Sequence, residues 1–353
     1  MNIRKALTFR ASSIGDCLMG KYLLENIHAE YPETRLGIVV AGRAAMIRDL
    51  FAAYPWLEVI EANRRNPRTL FALLRDFHGS DLVVTQYAGK KGGRFGFGSK
   101  LFARLLARRG GLVGFTDAFR WNSVLYDQLV PIKAGESIAE HEREVLATVE
   151  VTVSLPFPKL ICLPDGAIVE KFGVDAEKFI IVHFFAGGKG RSMSPEKSRE
   201  LLTALRRVLS DDISILVSGS SADRSSARAI AEGIDAKVIA GETTLQEMMC
   251  LIKESRCVIS VDTGMAHIAA HLGTPLVVMR TCVGRNWWLA GQYGENAPIT
   301  VCAHDVSCRD GHVNKEYPEC LNEISVEEIA NAARQCVLRD DSQTSYREEA
   351  SLS

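Results

Sequence analysis

The chain has 353 residues, 47% hydrophobic and 24% charged content, and a formal net charge of −1. That is the composition of a folded globular protein, and it excludes collagenous, low-complexity and membrane-bundle chains. A sum of charges near zero gives no argument for a nucleic-acid partner, and the length makes two domains the natural expectation. The opening MNIRKALTFRASS is too short in apolar residues for a signal peptide, and no window approaches the roughly 18 apolar residues of a membrane span. A cytoplasmic protein is therefore expected. Nine cysteines, an odd number, suit reduced thiols better than a disulfide framework. Cys302, Cys308 and Cys320, with Cys282 upstream, form a looser cluster open to a metal, but they lack the tight C-x-x-C pairs of zinc sites, and no metal site is assigned.

In chain order, Lys5 to Phe9 reads as a first strand running into Arg10-Ala-Ser-Ser-Ile-Gly-Asp16. Cys17 to Ala29 follows as a helix, with Leu18, Met19, Tyr22, Leu23 and Ile27 close to helical spacing. Ser12, Ser13 and Gly15 make a small polar turn, and Asp16 falls at the first helical position, where the dipole keeps a carboxylate ionised. A helix cap accounts for Asp16 as well. Strands are expected at Leu36 to Val40, Leu57 to Ile60, Leu82 to Thr85 and Leu112 to Phe115, with helices at about Ala44 to Ala53, Pro67 to Phe77 and Lys100 to Arg108. Repeated βα units of this size predict an α/β fold with a doubly wound parallel sheet. A helix at His141 to Val149 closes the half. Residues 1–153 are read as the N-terminal domain and the proline-bearing 154–166 as a linker.

Residues 167–338 repeat the logic as a second domain. The strand FIIVHF (Phe179 to Phe184) leads to Ala-Gly-Gly-Lys-Gly-Arg191-Ser192 and a helix opening at Ser194-Pro195-Glu196. Strands at Ile213 to Val217 and Lys237 to Ala240, and helices from about Asp223 and at Leu245 to Glu254, precede SRCVISVDTGMAHIAAHLGTPLVVM. That stretch reads as strand, Asp262-Thr263-Gly264 turn, short helix and second strand, a parallel crossover. Its turn sits at a strand's carboxyl end, where open α/β sheets bind ligands. The free N–H groups and hydroxyl of Thr263 and Gly264 suit a diphosphate, and His267 offers a proton-dependent contact. An N-cap with a core histidine accounts for the same residues. The helix Ser325 to Val337 ends the fold, and 339–353 is read as a flexible tail.

From Leu82 to Thr116 there is no acid, yet Lys90, Lys91, Arg94, Lys100, Arg104, Arg108 and Arg109 are present among Phe95, Phe97 and Phe102. Uncompensated charge with interleaved aromatics suits an anionic glycolipid at a membrane face, with nucleic acid set aside for want of a motif. A solvated basic helix with a mobile loop is the other reading.

The pair R-A-S-S-I-G-D and V-D-T-G-M-A-H-I-A-A-H-L-G-T-P, with I-A-G-E-T-T-L-Q-E-M between them, resembles glycosyltransferase family 9, the ADP-heptose:lipopolysaccharide heptosyltransferases. The resemblance implies a GT-B fold of two Rossmann-like domains facing across a cleft, acceptor on the first and nucleotide-sugar on the second. It implies inverting transfer of heptose from ADP-heptose to a lipopolysaccharide inner-core acceptor at the cytoplasmic face of the inner membrane, with no cofactor and no metal. Carried over by position, Asp16 is the general base; Ser13 and Gly15 of its turn and Lys90, Lys91 and Arg94 of the basic stretch are read as the acceptor side. Asp262 holds the donor sugar, Thr263 and Gly264 the diphosphate, Asp223 the ribose and Thr243 the base, with Lys189, Arg191, Ser192, Met265 and His267 completing the donor set. Two departures stand out. Ser192-Met193-Ser194-Pro195 replaces the family's basic residue and Trp-Pro, and Trp287-Trp288 falls where a Phe-Gly-Pro turn is usual. A protein-modifying heptosyltransferase with a cysteine-bound metal, and a nucleotide-sugar epimerase or binding protein, are the alternatives.

Overall fold

The fold is described from a computed structural model. It covers residues 3–86, 97–116, 121–187, 189–294, 297–304, 308 and 317–338, without the side chain of Lys189. Lys90, Lys91, Arg94, the Lys189 side chain and the tail 339–353 therefore lie outside the described residues. The chain divides into two compact units, Met1–Pro158 with Leu289–Gln292, and Lys159–Trp288 with Tyr293–Ser353.

In unit 1, β1 (Lys5–Arg10), β2 (Arg35–Val40), β3 (Leu57–Glu61), β4 (Leu82–Thr85), β5 (Leu112–Phe115) and β6 (Gln128–Val130) alternate with helices α1 (Ile14–Glu30), α2 (Ala44–Leu50), α3 (Pro67–Phe77), α4 (Phe97–Leu106), α5 (Asn122–Leu125) and α6 (Ile138–Thr148). All strands pair in parallel, in the order β3-β2-β1-β4-β5-β6. Leu7, Phe9, Val39 and Val83 from the sheet pack with Leu73, Phe77, Ala103 and Leu106 from α3 and α4 to form a core. Apolar burial of this kind stabilises by about 1.5–3 kcal/mol per large side chain. The short β6 has no counterpart in the sequence reading. It is an edge strand of three residues with one buried, too little pattern to announce itself.

Unit 2 has β7 (Phe179–His183), β8 (Ser214–Val217), β9 (Lys237–Val238), β10 (Cys257–Val261), β11 (Leu276–Met279) and β12 (Ile299–Cys302), in the order β12-β11-β10-β7-β8-β9. Its helices are α7 (Ile168–Lys171), α8 (Pro195–Val208), α9 (Arg224–Ala231), α10 (Leu245–Glu254), α11 (Gly264–Leu272), α12 (Glu319–Asn322) and α13 (Val326–Leu338). The complete burial of β10 explains why its sequence lacks a polar alternation: both faces are covered, and its one polar side chain, Ser260, donates to the Val261 carbonyl. Ser194 caps α8 by accepting the Lys197 N–H, with Pro195 in the first turn, and Thr244 and Glu247 cap α10 reciprocally. Residues just after Pro158 pack on this unit. The Leu160 N–H donates to the His271 carbonyl at 2.8 Å.

Each sheet is wound outward in two directions from its first strand. In unit 1 the chain order reverses between β1 and β4, and in unit 2 between β7 and β10. At such a point the loops leaving the two strands diverge and open a crevice at their carboxyl ends.

Candidate functional site

The crevice of unit 1 is built by the loop after β1 and the residue after β4. The first helix opens two residues earlier than the sequence indicates. Ser13 is the N-cap, with its hydroxyl accepting the Asp16 N–H at 3.4 Å, so Asp16 is the third helical residue and not the first. The Ser13 hydroxyl also donates to Asp16 Oδ2, and Gln86 Nε2, from just beyond β4, donates to Asp16 Oδ1 at 2.9 Å. Gln86 Oε1 in turn accepts the Ala11 N–H at 2.6 Å, tying the two loops together. The carboxylate is thereby oriented by a donor on each oxygen beside the positive end of α1, while the residue stays partly exposed.

Arg10, first residue of the same turn, is structural. Its guanidinium grips Glu142 of α6 with two bonds of 2.6 and 2.8 Å, its Nε donates to Thr8 Oγ1 at 2.7 Å, and both charged side chains are only 2% exposed. Gly20 makes room for it, since a Cβ there would lie 2.9 Å from Arg10 Cγ. Beside this turn Phe9, Arg10, Ala11, Val39, Ala41, Arg64 and Phe102 help line a cavity of about 180 Å³. The Ser12 hydroxyl accepts the Gly42 N–H at 3.2 Å, joining the loops after β1 and β2.

In unit 2, Asp262 leaves β10 and is 7% exposed. Its Oδ1 accepts the Trp288 Nε1–H at 3.0 Å, and a Cβ built on Gly284 would sit 2.0 Å from Oδ2, so the carboxylate lies against bare backbone. Burial, eased by the Trp288 N–H and the charges of Arg191 and Arg280, lifts Asp262 from 3.8 to about 6. His267 lies parallel to Trp288, with ring centroids 5.0 Å apart at 9°, and its Nδ1 meets the Tyr293 hydroxyl at 3.1 Å. Burial and then Arg191 push His267 down to about 3. The imidazole is therefore neutral near pH 7, and the proton-dependent contact expected of it is corrected: its 3.7 Å approach to Asp262 is not an ion pair.

Thr263 caps α11 without a side-chain bond to it, and Thr263, Gly264 and Met265 are partly exposed. The first N–H groups of this nine-residue helix thus lack a capping side chain at the sheet's switch point, with the exposed Arg191 near enough to act on Asp262. Ser192 is placed differently from a donor ligand: it is 8% exposed and its Oγ accepts the Ala186 N–H at 3.0 Å, bracing the loop after β7. Asp223 accepts both the N–H and hydroxyl of Ser220 beyond β8, and Thr243 lies half-buried after β9, so these two occupy neighbouring strand ends.

The sequence had no signal for Gln86, Gly284, Arg280 or Tyr293. The tryptophan pair it did flag proves to be part of the site through Trp288.

The basic stretch is less uncompensated than it reads. Arg104 pairs with Asp127 and Arg108 with Asp81, each at 2.6 Å, and the buried Lys100 donates to Asn122 at 2.8 Å. Those partners come from outside the window Leu82 to Thr116, which is why local counting missed them. The cysteine cluster is also revised. Cys302 belongs to the core with Ile259, Met279 and Ile329, and burial with Glu328 nearby pushes its thiol up to about 12. Cys282, Cys308 and Cys320 are the three that converge.

Two doubly wound parallel sheets, each with its open strand edge, make a GT-B fold. The model of glycosyltransferase family 9 (heptosyltransferase) matches residues 105–280, and the chain belongs to that family. Among solved structures, the family 9 glycosyl transferase from Veillonella parvula matches with a TM-score of 0.72 and 16% identity, over 96% of this chain and 99% of that one. The E. coli ADP-heptose lipopolysaccharide heptosyltransferase II matches with a TM-score of 0.69 and 18% identity, over 95% and 98%. The E. coli heptosyltransferase WaaC bound to ADP-2-deoxy-2-fluoro heptose gives 0.64 and 19%, over 94% and 98%. No curated protein matches by sequence. Among the described residues, no helix is long and apolar enough to cross a membrane.

Proposed function

We propose that this glycosyltransferase moves heptose, with inversion, from ADP-heptose to an inner-core lipopolysaccharide acceptor. Asp16 takes the proton of the attacking hydroxyl. The observation that carries this reading is the Asp16 carboxylate, held by Ser13 and Gln86 at the switch point of its sheet. A base must be oriented before it can work, and a well-placed one contributes on the order of 10²–10⁴ in rate. At the other switch point, the N-terminus of α11 and Arg191 receive the departing diphosphate, as oriented donors do for developing negative charge. Asp262 holds the sugar hydroxyls, Asp223 and Thr243 the nucleoside, and neither cofactor nor metal takes part in the transfer.

A lipid-linked acceptor is supported by unit 1. Phe97, Leu101 and Leu105, one turn apart on α4, are 52%, 41% and 52% exposed, beside Trp121 at 50% and Val124 at 75%. An apolar face of that kind, with a cavity of about 420 Å³ among Phe97, Trp121, Val124 and Leu125, suits acyl chains at the cytoplasmic surface of a membrane.

The test is Asp16→Asn. The variant keeps the thermal stabilisation given by ADP-heptose, because it leaves unit 2 untouched, and loses about 10²-fold or more in turnover. Turnover retained within a few-fold removes Asp16 from the reaction. Equal stabilisation by GDP-, UDP- and dTDP-sugars removes the assignment of the donor.

A further inference from the structure

The search for a site outside the transfer machinery leads to the three thiols that converge in unit 2. Cys282 lies three residues after β11, Cys308 beyond β12 and Cys320 in α12, and their Sγ atoms all lie within 4.8 Å of one another. Three separate segments deliver them, so the convergence is a product of the fold and not of adjacent residues. None of the three is in a disulfide. The Cys282 N–H points at the Cys320 sulfur at 3.4 Å, the kind of bond that orients a ligand and favours a thiolate.

We propose that Cys282, Cys308 and Cys320 bind one thiophilic divalent transition-metal ion, zinc or ferrous iron, as a structural clamp. At a metal–sulfur distance of about 2.3 Å, tetrahedral geometry places ligand sulfurs about 3.8 Å apart. The pairs are thus at most about 1 Å from ligating distance, which side-chain rotation supplies. Binding exchanges three thiol protons for three metal–sulfur bonds, with no change of oxidation state, and the fourth position is taken by one further donor.

The clamp has a definite object. Gly284 and Trp288, which confine the Asp262 carboxylate, follow Cys282 by two and six residues. Fixing Cys282 to Cys308 and Cys320 ties that loop to the segment after β12 and to α12. The link to donor binding rests on the function proposed above; the metal itself does not.

The experiment is metal analysis of the full chain, purified without chelator. The wild type is expected to carry about one equivalent of zinc or iron, and its cobalt-loaded form to show a thiolate-to-cobalt charge-transfer band. Cys308→Ser, at a partly exposed position, should retain under about a tenth of an equivalent with an unchanged circular dichroism spectrum. Cys302→Ala should keep the metal. Should Cys308→Ser misfold, the cobalt band of the wild type and its loss on alkylation with Cys282 and Cys320 decide the matter. A folded wild type without stoichiometric metal, a disulfide among the three cysteines, or a Cys308→Ser variant that keeps its metal overturns the site. Since none of these readouts uses donor or acceptor, a metal-free chain that transfers heptose overturns the clamp alone, and a metal-bearing chain that transfers nothing overturns the proposed function alone.

Discussion

Gly284→Ala probes the packing around Asp262 directly. The added Cβ would lie 2.0 Å from Asp262 Oδ2 and 3.1 Å from its Cγ, whereas ordinary contact begins at 3.4 Å. Gly284 has φ −94°, so alanine adopts its backbone without strain and the whole effect is steric. One neighbour must move by more than 1 Å, and the carboxylate, as a side-chain tip, moves first. That displacement takes the 3.0 Å bond from Trp288 out of hydrogen-bonding range. A hydrogen bond to a charged group is worth about 1.5–3 kcal/mol, and forced repacking costs about 1–3 kcal/mol. We therefore expect a loss of about 2–4 kcal/mol in unit 2, seen as a fall in Tm of roughly 5–15 °C. Thermal and urea unfolding of the variant against Gly166→Ala, where nothing lies within 4 Å, isolates the clash from the loss of glycine freedom. A Gly284→Ala protein within about 0.5 kcal/mol of wild type would show that Asp262 is not confined as described.

Acid titration of stability tests the same cluster by charge. Between about pH 3 and 6.5 the unfolded chain carries the His267 proton that the folded chain lacks, so this contribution grows with rising pH; between 3.8 and about 6 the folded chain carries the Asp262 proton that the unfolded chain lacks, so that contribution declines. The slopes oppose, and His267→Gln removes only the first. The stability gap between wild type and variant should widen by up to about 3 kcal/mol from about pH 4 to 6, and parallel pH curves from urea unfolding would refute a neutral buried His267. In unit 1, Glu142→Gln leaves Arg10 charged and buried beside a neutral partner, at an expected cost of about 3–5 kcal/mol; an apolar pair at both positions should recover much of it, and a loss under about 1 kcal/mol for the single variant would contradict the burial.

The sheets were legible because their strands are buried on both faces. Leu82–Thr85, Leu112–Phe115 and Cys257–Val261 are predominantly apolar with no charged residue, and their observed bounds are those expected from sequence. The edges were not. In β6 and β12 only one residue each is buried, so the apolar run that marks an interior strand is missing. Nor did any composition signal mark Leu289–Gln292 as part of unit 1, since its ties are to residues remote in sequence: Gln292 accepts the Ala139 N–H at 2.9 Å, and the Gly291 carbonyl accepts from Arg143 at 3.3 Å.

The site divides along a similar line. A strand, a tight turn and a helix start are local, and so Asp16 and Asp262 could be found from the residues around them. What governs their behaviour is remote in sequence, because the loops that meet at a switch point leave different strands. Gln86 reaches Asp16 across 70 positions, and Trp288 reaches Asp262 across 26. The expectation for His267 failed for this reason. From its own helix it is a histidine one turn from a diphosphate site, free to titrate. Enclosed by Trp287, Trp288 and Tyr293, it loses the water that would solvate its proton, and a group that reads as a switch becomes a fixed hydrogen-bonding wall behind Asp262. If Asp262 holds the donor sugar as proposed, its protonation below about pH 6 replaces a charged acceptor with a neutral carboxyl group, and donor affinity should weaken on the acid side of that value.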